Sequence, residues 1–470
     1  MLKCWCFFLL LHWLIQQLDA NPGLKVRITQ KGLDYGKEIG LKVLKQRIKD
    51  EKFPDWSGRE KSGVGDVDYI LSGVRINTIE FPDASVSLIP GSGIKLSTQH
   101  AYATFNANWS IRTWLFKDSG RGTVSISGVF ITAVFTMSQD NTGHPSMSLD
   151  SCQMSIRGMD IKLNGTISWL YKFFIKYLEK PIHRSLHTHS CPNIRQGIQR
   201  IDAQLRALQV PTQIDAFAQI DYSLVNSPGI FQSYIDLDLK GAVYPFRNWS
   251  DLAFVPAPFT LPDKSNSMLY LGISEYFFKS ASLAYYKAGA FNITTIEELS
   301  SYFNVTTKTF GNIIPEIAQY YVEAQPAMLN LMATAAPVVS LQPNAFSLEI
   351  HASMEVLVVQ PNSTTQSIFT VNIIANTNAS LTIFEQKLVG SLCLNRFQLF
   401  LADSSVGFFE VSLLENFLSY VLRNGVIPAA NVILKKGFPL PNLDHITLLR
   451  PVIKINEGYL LISTDIDYNL

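Results

Sequence analysis

Cysteine is scarce. The chain has five in 470 residues, and two of them, Cys4 and Cys6, fall within the first twenty. Three thiols allow one bridge at most, which excludes a small disulfide scaffold and leaves burial to hold the fold. Cys152 and Cys191 lie in the same half and are expected to pair, leaving Cys393 over. Long apolar runs are also lacking beyond the first residues, MLKCWCFFLLLHWLIQQLDA. That opening reads as a secretory signal peptide, residues 1–20, with Lys3 ahead of an apolar stretch and Ala20 as a small residue for cleavage. No later segment is expected to cross a bilayer as a helix. Nucleotide-binding glycine loops, G-x-S-x-G elbows and H-E-x-x-H helices are absent from the sequence. No constellation supports an enzyme, and nothing calls for nucleic acid as a partner.

What is present is apolar content, 47% of the chain, enough to bury more than one core. The formal net charge of +1 conceals an asymmetry. Residues 21–210 hold 25 Lys and Arg against 16 Asp and Glu, whereas residues 211–470 hold 13 against 21. A basic half joined to an acidic half points to an anionic partner for the first. N-x-[ST] sequons occur at Asn108, Asn164, Asn248, Asn292, Asn304, Asn362 and Asn378. A glycan-bearing asparagine must face solvent, so these fit a secreted, extracellular glycoprotein.

Periodicity divides the chain into two similar halves. The spacing of Ile28, Leu33, Gly36, Ile39, Gly40, Val43, Leu44 and Ile48 predicts an amphipathic helix over 25–52. Gly36 and Gly40 on that stripe permit close approach of a strand or an acyl chain. Alternating text over 69–162 predicts long antiparallel strands, and 168–208 is helical again, with Pro181 and Pro192 expected to bend or break it. The second half reads as an apolar helix over 267–289, strands over 336–401 and a helix over 410–436. Pro256, Pro258 and Pro262 mark an extended connector. The stretches YIDLDLKGAVYPF and KINEGYLLISTDIDY are expected to join the halves in one sheet.

HRSLHTHSC places His183, His187 and Cys191 at i, i+4 and i+8, a spacing that mimics zinc ligands. With Cys191 expected in a disulfide and no second motif, no metal site is expected. Glu297 and Glu298 read as a helix N-terminal feature. Helices laid on curved sheets leave either a dry core or an elongated apolar slot, and the pattern alone does not choose.

Several segments together resemble one family. They are NPGLKVRITQKGLDYGKEIG, the pair Cys152/Cys191, the Pro-rich connector, SNSMLYLGISEYFFKSA, VSLQPNAFSLEI, KKGFPLP and GYLLISTDIDY. Their order and spacing are similar to the bactericidal/permeability-increasing protein and lipopolysaccharide-binding protein family, which includes the plasma lipid-transfer proteins. The resemblance covers the chain after residue 20. It implies an α+β fold, an elongated boomerang of two barrels, each a twisted antiparallel sheet with two helices, joined by a central antiparallel sheet. The implied units are an N-terminal barrel (21–210), central strands and linker (211–266), a C-terminal barrel (267–437) and return strands (438–470).

The resemblance also implies two apolar pockets holding phospholipid, with no other cofactor. The first draws on Ile28, Leu33, Gly36, Ile39, Gly40 and Val43, and the second on Leu271, Ile273, Tyr276, Phe277 and Ala281. Endotoxin-binding members carry a basic hairpin where this chain has NWSIRTWLFKD. Trp109 and Lys117 match that hairpin, Arg112 is basic where the family is polar, and Asn108, Ser110, Thr113 and Trp114 replace basic residues. Trp109, Trp114 and Phe116 either meet a lipid–water interface or cap the barrel end. Lys61 and Lys95, with Arg59 and Arg121, are expected near this tip, offset by Asp66 and Asp118. The expected function is binding or carriage of phospholipid or another amphipathic lipid, with anionic membranes as a further partner. The alternative is innate-immune binding of lipopolysaccharide.

Overall fold

The computed structural model describes residues 21–50, 55–62, 65–165, 168–249, 252–294, 306–360, 364–440 and 446–468. The signal segment, Glu297, Glu298, Asn304 and Asn362 lie outside these.

The strand-rich text of the first half forms one antiparallel meander. Trp56–Ser62, Gly65–Glu80, Gly93–Arg112, Lys117–Gln139 and Pro145–Asn164 follow one another across it, and Ser85–Ile89 pairs with the start of Gly93–Arg112. Side chains alternate between faces along a strand. Accordingly Ala101, Ala103, Phe105, Ala107, Trp109 and Ile111 are buried, while Asn106, Asn108 and Arg112 are exposed. Register shifts at Thr98/Ala101 and Val134/Phe135 interrupt the ladders. Such bulges bend long strands and allow the sheet to curl.

The second half repeats the device. Ala327–Ala333, Ala345–Val359, Thr365–Phe384 and Lys387–Ser404 form the matching meander, with shifts at Val356/Leu357, Thr370/Val371 and Asn376/Thr377. Phe310, Ile317, Val356, Ile368, Phe369 and Leu414 build its core.

Between the lobes lies a six-stranded antiparallel sheet. Its order is Gly229–Ile230, Tyr234–Leu239, Leu24–Thr29, Leu269–Ser274, Tyr459–Tyr468 and Ile446–Asn456. Of the stretches expected to join the halves, Ala242–Pro245 pairs with Ala218–Asp221 in a separate three-stranded sheet, whereas YIDLDL and KINEGYLLISTDIDY are in the six-stranded one, with two strands between them. The strands between them, Leu24–Thr29 and Leu269–Ser274, were expected to be the first turns of helices. They pair with each other in register, Leu24 opposite Ile273 and Ile28 opposite Leu269. Each half therefore opens with a central strand and then a helix. Tertiary pairing decides this: LKVRIT and LYLGIS are too short to hold a helix against a waiting ladder.

The central sheet also grips the connector. The Arg27 guanidinium donates to both carboxylate oxygens of Asp236 at 2.7 Å, stacks over the Tyr234 ring at 3.6 Å and reaches the Pro262 carbonyl at 3.1 Å. A planar fork satisfies all these partners at once, which an ammonium cannot.

The described helices are α1 (Gln30–Asp50), α2 (Ser168–Arg206), α3 (Glu275–Lys287), α4 (Thr307–Gly311), α5 (Pro315–Tyr320), α6 (Ser412–Val421) and α7 (Ile427–Leu434). A π-helical turn, Leu422–Val426, joins α6 to α7. Neither Pro181 nor Pro192 ends α2, which runs 39 residues. Its apolar stripe, Ile175, Ile182 and Leu186, packs on the first sheet, and the Cys152–Cys191 disulfide fastens it to Pro145–Asn164.

Candidate functional site

The first helix is held by its polar groups rather than by its apolar ones. Gln30 donates to the Val86 carbonyl, Lys31 pairs with Asp465, Tyr35 donates to Asp467, and Lys45 pairs with Glu80. Gly32 is where α1 touches the central sheet, since a Cβ there would lie 2.7 Å from the Met268 carbonyl oxygen. Beyond it no described residue of α1 is buried. Leu33, Ile39 and Val43 are half-buried, Gly36 and Gly40 are exposed, and a Cβ built at either glycine meets nothing within 4 Å. Among the described residues, no α1 side chain belongs to any of the buried apolar clusters. Ile28, expected on the helix, sits half-buried in the central sheet. An amphipathic helix normally buries its stripe. This one lies along the lobe with its stripe only partly covered by protein.

The residues expected to line the second pocket are placed differently. Leu271 and Ile273 are on the central strand, and Phe277 and Ala281 are on α3. All four are buried among Leu24, Leu341, Phe346, Leu460 and Ile462. Tyr276 packs against Ala242 and Tyr244. These five are corrected from pocket wall to packed core, because the protein alone already excludes water from them.

Uncovered apolar surface of this lobe is found instead on α6 and α7, among other places. Leu414 and Leu418 enter the core, but Leu413 and Tyr420 face out, and Val432 and Ile433 are each 64% exposed. No residue of α7 is buried. Asn431 fixes α7 to the sheet edge, accepting from the Leu392 N–H at 2.7 Å and donating to the Leu392 carbonyl at 3.0 Å. Ser412–Leu434 is long and apolar enough to cross a membrane by length and composition, contrary to expectation. It is one helix of the lobe, with Leu414 and Leu418 spent on packing.

The tip hairpin divides its two tryptophans. Trp109 is 2% exposed, with its indole N–H donating to the Arg121 carbonyl at 3.2 Å, so it caps the barrel end. Strand alternation puts it on the same face as Phe105 and Ile111. Trp114 is 77% exposed and Leu115 is 59% exposed. Thr113 shapes the turn that presents them: its hydroxyl accepts from the Leu115 and Phe116 N–H groups at 3.2 and 3.1 Å, and its own N–H donates to the Phe116 carbonyl. Phe116 is half-buried against the first core.

Exposed Arg112, Lys117 and Lys61 surround this turn, Lys61 through the neighbouring hairpin, where it faces Asp66. Arg59 is committed to Asp68, whose carboxyl it holds below the usual carboxylate range by hydrogen bonding. Lys95 is corrected. It pairs with Ser87 and Val134 at the opposite end of its strand, about 56 Å of chain from Arg112 at a rise of about 3.3 Å per residue.

The described sequon residues Asn108, Asn164, Asn248, Asn292 and Asn378 are all exposed. Cys152 and Cys191 are bonded as expected, and Cys393 is a free, exposed thiol. With Cys191 in the bridge, His183 and His187 lack a third ligand. Among the described residues no three His, Cys, Asp or Glu side chains converge.

Two lobes of this construction, sharing a sheet built from both halves, match known proteins along the whole chain. The N-terminal domain model of the LBP/BPI/CETP family matches residues 32–201, and the C-terminal domain model matches residues 212–468. The chain belongs to this family. It is 41% identical to BPI fold-containing family C protein of Homo sapiens over 98% of this chain and 92% of that protein. It is 34% identical to bactericidal permeability-increasing protein of Sebastes schlegelii over 98% and 99%. The crystal structure of a lipopolysaccharide binding protein superposes with a TM-score of 0.64 at 29% identity, covering 95% of this chain and 99% of that one. Membership accounts for the two-barrel α+β fold.

Proposed function

We propose that this is a secreted lipid-binding protein that holds phospholipid-like molecules in two apolar slots. One lies beneath α1, and the other lies along α6 and α7. The observation that carries the reading is the α1 stripe: Leu33, Ile39 and Val43 line a helix that no core claims, and Gly36 and Gly40 have open space at their Cα atoms. Acyl chains are the occupant that needs no polar motif. Each methylene taken from water contributes about 0.8 kcal/mol, so a dozen give about 10 kcal/mol before ordering costs. The disulfide and exposed sequons favour an oxidising, extracellular setting. Trp114 and Leu115 supply an apolar prow among cations, suited to the interface where lipid is collected.

The test is solvent extraction of detergent-free protein followed by mass spectrometry. About two phospholipids per chain are expected, and a clean extract contradicts the proposal. Lipopolysaccharide binding is the second reading, favoured by the names of relatives and by Arg112, Lys117 and Lys61 at the tip. It predicts lipid A binding that weakens steeply with salt, because phosphate contacts are screened.

A further inference from the structure

The solvent face of the first sheet carries its cations in rows across the strands, and two sequons stand in one of those rows. Residues directly opposite in an antiparallel ladder share a face, with Cβ atoms about 5 Å apart. Nearest the tip turn, Arg112 lies opposite Asp68 on one side and Lys117 on the other. Further back, Asn108 lies opposite Arg121, and Arg121 lies opposite Asn164. Behind that row, Asn106 lies opposite Arg75 and Thr123, and Thr123 lies opposite Lys162. Asn108, Arg121, Asn164, Arg75 and Lys162 are all exposed.

These rows make the sheet face more basic than the turn alone. Its carboxylates are already beside cations, Asp68 on Arg59 and Asp160 at 3.7 Å from Lys162. Ile70 stands exposed on the same face, between the first row and the second. Such a face would let an anionic membrane lie flat against the sheet, with the turn at its edge.

The sequons change that. Asn108-Trp109-Ser110 and Asn164-Gly165-Thr166 both fit N-x-[ST]. Strands lie about 4.8 Å apart, so the two asparagines bracket Arg121 across about 10 Å. A glycan is bulky and stays in water. Sugars at both ends of so short a row cover the guanidinium between them. Gly73 flanks Asn108, and a Cβ there would lie 3.4 Å from the Asn108 Nδ2, so the glycine keeps clear the space beside the attachment atom. Arg112 lies about 13 Å ahead of Asn108 at about 3.3 Å per residue, so the turn and its cations project beyond the sugars.

We propose that N-glycans on Asn108 and Asn164 screen Arg121 and the cations behind it from anionic membranes, leaving the Trp114 and Leu115 turn to make the contact end-on. This deepens the tip contact proposed above and rests on it for the direction of approach.

The experiment uses the full chain, with glycan occupancy at each asparagine read by mass spectrometry of its peptides. The probe is sedimentation with phosphatidylcholine vesicles carrying phosphatidylglycerol, with pure phosphatidylcholine as reference. Both asparagines are expected to be occupied. Asn108→Gln with Asn164→Gln raises affinity for the anionic vesicles about fivefold for each cation that comes within reach, and leaves the reference unchanged. Arg121→Gln in that sugar-free background takes back about fivefold, whereas in the glycosylated chain it leaves affinity unchanged. Trimming the folded glycoprotein with an endoglycosidase gives a rise in the same direction, so a folding defect in the double variant does not decide the result. Trp114→Ala in the glycosylated chain tests the turn separately: unchanged binding there contradicts the tip contact and leaves the screening by sugar standing. An unoccupied Asn108 or Asn164, equal binding by the two glycoforms, or a rise that Arg121→Gln does not reverse overturns the proposal.

Discussion

Replacing Ile39 by Ala separates a lipid-facing helix from an ordinary core helix. The change deletes three carbons. If they lie against an acyl chain, lipid affinity falls by about 2.4 kcal/mol at about 0.8 kcal/mol per carbon, or about fiftyfold. The lipid-free protein should hardly notice. Ile39 is half-buried and outside every apolar cluster, and alanine is the better helix former by a few tenths of a kcal/mol. Stability is therefore expected to stay within about 0.5 kcal/mol, as for a surface site. A dry-core isoleucine would instead cost about 2–5 kcal/mol. Displacement of a fluorescent phospholipid measures the first quantity, and urea unfolding of delipidated protein measures the second. Loss of more than about 2 kcal/mol of stability with unchanged lipid affinity refutes the reasoning, because α1 would then be closing on the sheet.

The two tip tryptophans should behave oppositely. Trp109→Ala costs about 3–5 kcal/mol in denaturant, whereas Trp114→Ala leaves stability within about 0.5 kcal/mol and weakens sedimentation with vesicles. Arg27→Ala leaves the half-buried Asp236 carboxylate without its bidentate partner and is expected to cost about 1–3 kcal/mol, read as a lower unfolding midpoint. Asp465 accepts from Lys31 and from the Met268 N–H, and the Lys31 bond foremost holds its pKa below the usual aspartate value. A lowered pKa gives stability that is present above about pH 4 and is lost as pH falls through the lowered value. Asp465→Asn should therefore be less stable than wild type at pH 7, and acid titration of both should bring their midpoints together once pH falls below the lowered Asp465 pKa.

Much of the fold was legible because period and pairing agreed. Alternation gave the long strands of both lobes, and the shared half of Cys152 and Cys191 gave the bridge. The central strands were missed where a short apolar run is ambiguous. LKVRIT alternates Leu24, Val26 and Ile28 against Lys25, Arg27 and Thr29, yet Ile28 also fits the stripe that α1 continues. LYLGIS runs straight into a helix, and its partner Leu24–Thr29 lies more than 240 residues earlier, so no local signal separates the two elements.

The same ambiguity misplaced Leu271 and Ile273 on a pocket wall. Trp109 was readable: counting by two from Phe105 puts it inside. Lys95 was not, since its distance from the tip depends on where a 20-residue strand begins. The exposed face of α6 and α7 was hidden because a helical pattern shows which residues are apolar but not which of them the sheet covers.

The central claim is that acyl chains occupy the space beneath α1. The most direct measurement is photocrosslinking with a phospholipid that carries a diazirine in its acyl chain, followed by peptide mapping. The account predicts adducts on Leu33, Ile39 and Val43 that unlabelled phospholipid competes away. Labelling confined to the surface turn at Trp114 and Leu115, with α1 unmarked, would contradict it.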